Sequence, residues 1–292
     1  MDSLTETYCL IDDFCREFEP VWHRRMLQAG SKKARRKPEL CLAELMTLLV
    51  LFQQLRFRQF KSFYLNYACR HLRTEFPRLP SYQRIVELTP RCAVPLAALF
   101  ECLKGTCDGI SIADSTPIAV CDNRRISRHR VFKGKAGRGK TSMGWFFGFK
   151  LHAIINSKGE LLRVRLTPGN TNDRKPVPGM CEGLFGLLFA DKGYISKALA
   201  ETLGEIGVKL VTTLKKNMKP VALTAFEKAL LKRRSLIETV FDELKNLCQI
   251  EHTRHRSANN FAVNLMAGIV AYCLSDTKPT LALTRVNALP KP

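Results

Sequence analysis

The sequence has no C-x-x-C pair, no basic stretch ahead of an apolar run at its start, and no apolar segment longer than about sixteen residues. The first absence sets aside zinc ribbons and disulfide frameworks. Eleven cysteines, an odd number, are scattered without metal spacing, the usage expected of reduced thiols in a cytoplasmic protein. The opening MDSLTETYCL offers no basic n-region, so no secretory signal is expected. LCLAELMTLLVLFQQL and NFAVNLMAGIVAYCLS are too short and too polar to span a bilayer, and read as buried helices. Acids are scarce as well: 26 Asp and Glu stand against 47 Lys and Arg, a net charge of +21. That balance favours a polyanionic partner, nucleic acid before an anionic membrane surface. What is present, 46% apolar and 25% charged residues over 292 positions, supports one large domain or two modest ones.

Two periodicities divide the chain. Residues 1–105 carry apolar residues at helical spacing, with Pro80 and Ser81 opening one helix. The polar faces carry Arg24, Arg25, Lys32, Lys33, Arg35, Arg36, Arg56, Arg58, Lys61 and Arg73. This stretch fits a solvated helical bundle and an all-α DNA-binding domain equally. From residue 108 the pattern turns to strands: GISIADSTPIAVC, FFGFKLHAII and LLRVRLTP form an antiparallel meander. LFGLLFAD and VKLVTTLK add buried strands among helices, and residues 225–249 read as one helix. The expected architecture is a mixed five-stranded α/β sheet over residues 106–275, followed by a loose tail, 276–292.

Three acids stand out by position. Asp114 lies on the first strand, pointing with Ile110 and Ile112; Asp191 ends an apolar strand; Glu238 lies on a helix packed by Ile237, Phe241, Leu244 and Cys248. Three carboxylates of this kind suit two Mg²⁺ ions, the arrangement that relieves charge on both attacking and leaving oxygens in phosphodiester chemistry. Each acid also has a plainer reading. Asp114 fits a cap of the STP turn, Asp191 a turn residue before KGY, and Glu238 an exposed partner of Arg234. Asp173, in NTND, reads as a helix N-cap, and Asp242 and Glu243 as solvated.

In order along the chain, IADSTPI, GFKLHAIINSKGEL, LTPGNTNDR, FADKGY and Arg234-x3-Glu238-x6-Lys245 resemble the DDE transposases of bacterial insertion sequences. EHTRHRS followed by NF and NL continues the resemblance, which covers residues 108–275 and, more weakly, the helical part. It implies an RNase H-like catalytic domain that holds two Mg²⁺ ions, with Mn²⁺ as a possible substitute, on Asp114, Asp191 and Glu238. It further implies binding of terminal inverted repeats, cleavage by water, attack of the freed 3′-hydroxyl on target DNA, and a homodimer on paired ends in the bacterial cytoplasm, associated with the nucleoid. Arg234 and Lys245 are then DNA-backbone contacts. The fuller signature has Tyr three residues before the Arg, where this chain has Leu231. Only forty-six residues separate Asp191 from Glu238, too few for the large insertion of some relatives.

One stretch pulls elsewhere. GKAGRGKT, residues 134–141, matches the nucleotide-binding pattern G-x-x-x-x-G-K-[ST], and Asp191 would pass for its Mg²⁺-binding partner. A working phosphate loop follows a buried strand and opens a helix. Here a basic segment precedes it and SMGWFFGFKLH follows as strand, so no nucleotide cofactor is expected. The eight cations among residues 122–140 (Arg124, Arg125, Arg128, Arg130, Lys133, Lys135, Arg138 and Lys140) suit a flexible loop along double-stranded DNA, or a merely solvated one. Lys150, Lys192, Arg254 and Arg256 complete the cations assigned to DNA. Two other functions stay open: an RNase H-like nuclease that cuts without joining, and an inactive transposase kept as a DNA-binding protein.

Overall fold

The computed structural model describes residues 3–30, 39–142, 144–213, 222–251 and 255–281. Lys32, Lys33, Arg35, Arg36, Arg254 and the tail from 282 lie outside the described residues. The helices are α1 (Ser3–Gln28), α2 (Leu42–Gln54), α3 (Phe60–Ser62), α4 (Cys69–His71), α5 (Tyr82–Leu88), α6 (Ala93–Leu103), α7 (Val177–Cys181), α8 (Lys197–Glu205), α9 (Ala225–Lys232), α10 (Leu236–Asp242) and α11 (Ala258–Cys273). The strands are β1 (Ile110–Cys121), β2 (Gly137–Thr141), β3 (Gly144–Asn156), β4 (Leu161–Pro168), β5 (Gly186–Ala190) and β6 (Val208–Thr212).

The contiguous division expected at residue 105 is not the one observed. One compact unit comprises Met1–Leu103, Arg130–Phe132 and Asp242–Ser275; the other comprises Lys104–His129, Lys133–Phe241 and Asp276–Pro292. The helical unit is built around α2, which is apolar on nearly every side and has ten buried residues from Ala43 to Gln53. It packs against α1 and α11, and α11 also covers α6. Buried amides fix the α2–α11 register, Gln53 Nε2 donating to Asn264 Oδ1 at 2.8 Å.

In the second unit the sheet order is β4-β3-β1-β5-β6, with β2 in line with β4 along the same edge of β3. Neighbours β3 and β4 run antiparallel, β1 antiparallel to β3, and β5 and β6 parallel to β1. Three antiparallel strands extended by two parallel ones, with helices after the parallel strands, make an RNase H-like α/β fold. Ala113, Leu188 and Ala190 bury one face beneath Val177, Met180, Leu199 and Leu203 of α7 and α8. Ile112 and Phe189, of the other parity, face the side where α9 packs on β5 and β6.

Three expectations need correction. The sheet has six strands, because the basic segment expected as a flexible loop forms β2. Its backbone lies so close to β3 and the 169–170 loop that a Cβ at Gly139 would overlap the Gly169 carbonyl and the Phe146 ring. Glycine supplies by close approach the fit that apolar alternation supplies elsewhere. Residues 225–249 are not one helix: a turn at residues 233–235 separates α9 from α10, and a π-turn, Glu243–Leu247, follows. Lys232, Arg233 and Arg234 offer no apolar side chain to hold a continuous helix on the core at that point. The tail's start is not loose either: the Leu281 N–H donates to the Ser157 carbonyl at 2.8 Å, and Leu281 is buried.

Candidate active site

The parallel pairing of β1 and β5 runs Ile110 with Leu187, Ser111 with Leu188 and Ile112 with Phe189. Two residues beyond Ile112 on β1 comes Asp114, and Asp191 directly follows β5, near enough for its charge to act on the Asp114 carboxyl. Asp114 is the more enclosed, its side chain 23% exposed, and Oδ1 accepts the Ser115 N–H at 2.8 Å. Burial pushes its carboxyl up to about 6, against the Ser115 N–H and Arg234, while the charges of Asp191 and Asp173 push it further. The Asp191 carboxylate caps the short turn Lys192–Tyr194 by accepting the Gly193 N–H. A Cβ at 193 would come 2.7 Å from Asp191 Oδ1, so a side chain there would displace that carboxylate. Beneath it Tyr194 is buried, its hydroxyl held above the usual range by burial first and then by Asp114, Asp173 and Asp191.

Glu238 sits in the first turn of α10 rather than in mid-helix. Arg234, in the turn before, reaches both sides: its Nη1 lies 3.7 Å from Asp114 Oδ2 and its Nη2 3.6 Å from Glu238 Oε1. The structure thus links two of the expected ligands through a shared guanidinium. Among the described residues no three His, Cys, Asp or Glu side chains stand together as a ready-made metal site. The donor set nevertheless fits a hard divalent ion. It is all carboxylate, one member is half-buried and raised chiefly by burial, and the Arg234 guanidinium already lies within 4 Å of both Asp114 and Glu238.

Sequence reasoning missed Asp173. It caps no helix, since the residue before α7 is Pro176. Its carboxylate instead accepts from Lys150 Nζ at 2.9 and 3.0 Å and from the Ser115 hydroxyl at 2.7 Å. Ser115 therefore ties Asp173 to Asp114, through its hydroxyl on one side and its amide on the other. Lys150, expected to contact DNA, is 14% exposed and also donates to the Thr171 carbonyl. Its charge is spent on Asp173 rather than left for a phosphate. His152, on the same strand, is buried and pushed down to about 4, chiefly by burial, so it is neutral, and its Nε2 lies 2.8 Å from Thr167 Oγ1. The only signal for Asp173 was an acid in a loop within the motif run, and loop acids most often cap helices.

The other cations fall in several places. Arg124, Arg125, Arg128, Lys133, Lys135, Arg138, Lys140 and Lys192 are exposed on the sheet-bearing unit. Of these, Arg124 is paired with Asp122 at 3.0 Å, holding that carboxyl down at about 2. Arg130, Lys245 and Arg256 belong to the helical unit, where Lys245 pairs with Glu251 at 2.9 Å. On β2, Arg138 and Lys140 lie over the Trp145 ring at 4.9 and 5.6 Å from its centroid, and Trp145 is 52% exposed. Beside them opens a polar cleft of about 430 Å³, lined by Arg138, Lys140, Lys150, Asn172, Asp173 and Arg174 among others.

The sequence profile of the transposase DDE domain matches residues 104–258, more than half of the chain. The chain belongs to that family. A protein of Brucella ovis named as a candidate transposase for insertion sequence element IS6501 is 29% identical over 103 residues, 35% of this chain and 78% of that protein. Two solved structures show weaker likeness. The Mos1 strand transfer complex has a TM-score of 0.30 at 14% identity, covering 87% of this chain and 82% of that one. The Mos1 transposase paired-end complex with left transposon end has a TM-score of 0.23 at 16% identity, covering 65% of each. Scores this low transfer nothing to this chain, and its fold is read from its own strand order. As a DDE transposase of an insertion sequence it acts on DNA, cleaving and joining strands, and DDE domains generally use divalent metal ions. Among the described residues no helix is long and apolar enough to cross a membrane.

Proposed function

We propose that this transposase binds the terminal inverted repeats of its element, cuts at their ends and joins the freed 3′-hydroxyl to target DNA. The observation that carries the reading is Asp114 on β1 with Asp191 directly after β5, the parallel strand beside it, and Arg234 within 3.7 Å of Asp114 and 3.6 Å of Glu238. Asp114, Asp191 and Glu238 would hold two Mg²⁺ ions, or Mn²⁺ in their place. When bound, the ions would activate the attacking oxygen and stabilise the leaving one.

The chain's own residues supply the rest. Asp114 must be ionised to act as a ligand, and the Ser115 amide and Arg234 are the groups that favour its charged form. The Ser115 N–H donates to that carboxylate directly, and Asp173, held by Lys150, accepts from the Ser115 hydroxyl and so braces it at one remove. Arg234 would hold a backbone phosphate next to the cut, and the exposed cations of residues 124–140 with Lys192 would grip the flanking phosphates. The helical unit would contribute further DNA contacts through Arg130, Lys245 and Arg256, and two copies would act on paired ends.

The test is cleavage of a labelled duplex that carries the element's terminal repeat, in Mg²⁺, by the wild type and by Glu238→Gln. Metal-dependent cutting at the repeat boundary, followed by strand-transfer products, is expected for the wild type alone, with a loss of at least about a hundredfold in the variant. Cutting at the normal rate by Glu238→Gln would remove Glu238 from the site.

A further inference from the structure

Two cations stand beside the candidate ligands, and they are held differently. Lys150 Nζ makes three hydrogen bonds, to Asp173 at 2.9 and 3.0 Å and to the Thr171 carbonyl at 3.1 Å. It is fixed. Arg234 is held by charge alone among the described residues, with Nη1 3.7 Å from Asp114 Oδ2 and Nη2 3.6 Å from Glu238 Oε1. Both distances are too long for a hydrogen bond, so the donors of the guanidinium are not spent on these carboxylates. Its side chain leaves the turn at residues 233–235, between α9 and α10, and is 23% exposed.

A guanidinium in that place opposes a divalent ion twice over. It offsets part of the negative charge that would attract the ion, and it repels the ion directly across a partly enclosed gap where screening is incomplete. A DNA phosphate removes both effects. Its paired oxygens match the fork of a guanidinium and accept two hydrogen bonds from it, a stronger contact than the two long ones to Asp114 and Glu238. We infer that Arg234 is a gate on metal loading: in the DNA-free protein its charge keeps divalent ions weakly held at the carboxylates, and a DNA phosphate draws it off and so tightens metal binding. The inference rests on the reading of Asp114, Asp191 and Glu238 as metal ligands, and adds to it an order of events in which DNA comes before metal. The coupling is reciprocal, so bound metal also favours the position of Arg234 on the phosphate and strengthens DNA binding. Lys150 has no part in this exchange, because its hydrogen bonds hold it on Asp173.

The experiment is a titration of the full chain with Mn²⁺, the free ion being measured by electron paramagnetic resonance. It is run at pH 8, above the value of about 6 at which Asp114 titrates, so that this carboxyl is ionised. Without DNA, Arg234→Gln and Arg234→Met should each bind Mn²⁺ at least about tenfold more tightly than the wild type, since the opposing charge is gone. Arg234→Lys keeps the charge and should bind as weakly as the wild type, a result that a purely structural role would not produce. With a saturating duplex that carries the terminal repeat, the gap between Arg234→Gln and wild type should close. Weaker Mn²⁺ binding by the two neutral variants would show that the guanidinium organises the carboxylates, and would overturn the inference. So would a gap that DNA leaves unchanged. Asp114→Asn separates the gate from the reading beneath it. Loss of Mn²⁺ binding in Asp114→Asn, with no gain in Arg234→Gln, would remove the gate and keep the carboxylate site. Unchanged binding in Asp114→Asn would remove both.

Discussion

Asp114 carries the clearest conflict between stability and function in the molecule. Its carboxyl titrates near 6 in the folded chain against 3.8 for an ordinary aspartate, with burial the largest cause. A group raised on folding stabilises the fold while protonated in both states. That contribution is complete below pH 3.8 and is lost as the pH climbs through about 6. Above that, the ionised form costs up to about 3 kcal/mol, at roughly 1.4 kcal/mol for each pKa unit. Asp114→Asn should therefore raise the melting temperature of the metal-free protein at pH 8 by several degrees and leave it unchanged near pH 3.5. Thermal melts across that range test the sign, and a variant less stable than wild type at pH 8 would refute it. Arg234→Gln should do the opposite, since it removes the guanidinium that favours ionised Asp114, and its penalty should be larger at pH 8 than at pH 5. The Asp114 and Asp191 positions were legible in the sequence because Asp114 sits in a short motif within a strand pattern and Asp191 in one that ends an apolar run. The Ser115–Asp173–Lys150 brace was not legible, because its members lie on three separate segments that only the folded sheet brings together.

At the scale of elements, β2 carries the largest departure from the sequence reading. Alternation of apolar residues is the ordinary signature of a strand, and GRGKT has none. Its place at the sheet edge comes from its partner: Gly139 fits against Phe146, and Arg138 and Lys140 lie over Trp145. The match to a nucleotide-binding loop fails on the same ground, because a strand on each side of the turn leaves no helix terminus to cradle phosphate. Fixing two cations on a strand beside the polar cleft, rather than on a mobile loop, lowers the entropy lost when they grip a backbone. The double change Arg138→Gln/Lys140→Gln should weaken DNA binding at low salt. If both are phosphate contacts, the slope of log affinity against log salt should fall by nearly two, at about 0.9 for each contact. A titration series in KCl measures it, and an unchanged slope would place DNA elsewhere. Gly139→Val should cost more than the charge changes, because its side chain would force β2 off the sheet and release both cations together.

At the scale of the whole molecule, the surprise is that neither unit is a continuous piece of chain. The helical unit takes its last large helix from residues 258–273, long after the chain has built the sheet. The sequence identified that segment correctly as a buried helix, since ten of its residues from Phe261 to Tyr272 are buried. Apolar faces on most sides say that a helix is buried and leave open what it is buried against, so the boundary at 105 looked natural. Physically it is not a boundary that the core respects. α11 covers α2 and α6, and Gln53, buried in α2, spends its amide on Asn264. A fragment of residues 1–105 would expose the apolar faces that α11 covers on α2 and α6, a loss of several kcal/mol against a typical domain stability of about 5–15 kcal/mol. It should show helical circular dichroism without a cooperative thermal transition, whereas the full chain should melt cooperatively. A sharp transition from the 1–105 fragment would restore the contiguous domain that composition suggested. In the full chain, Gln53→Leu should destabilise by about 1–3 kcal/mol, because it leaves the Asn264 side chain buried without its partner.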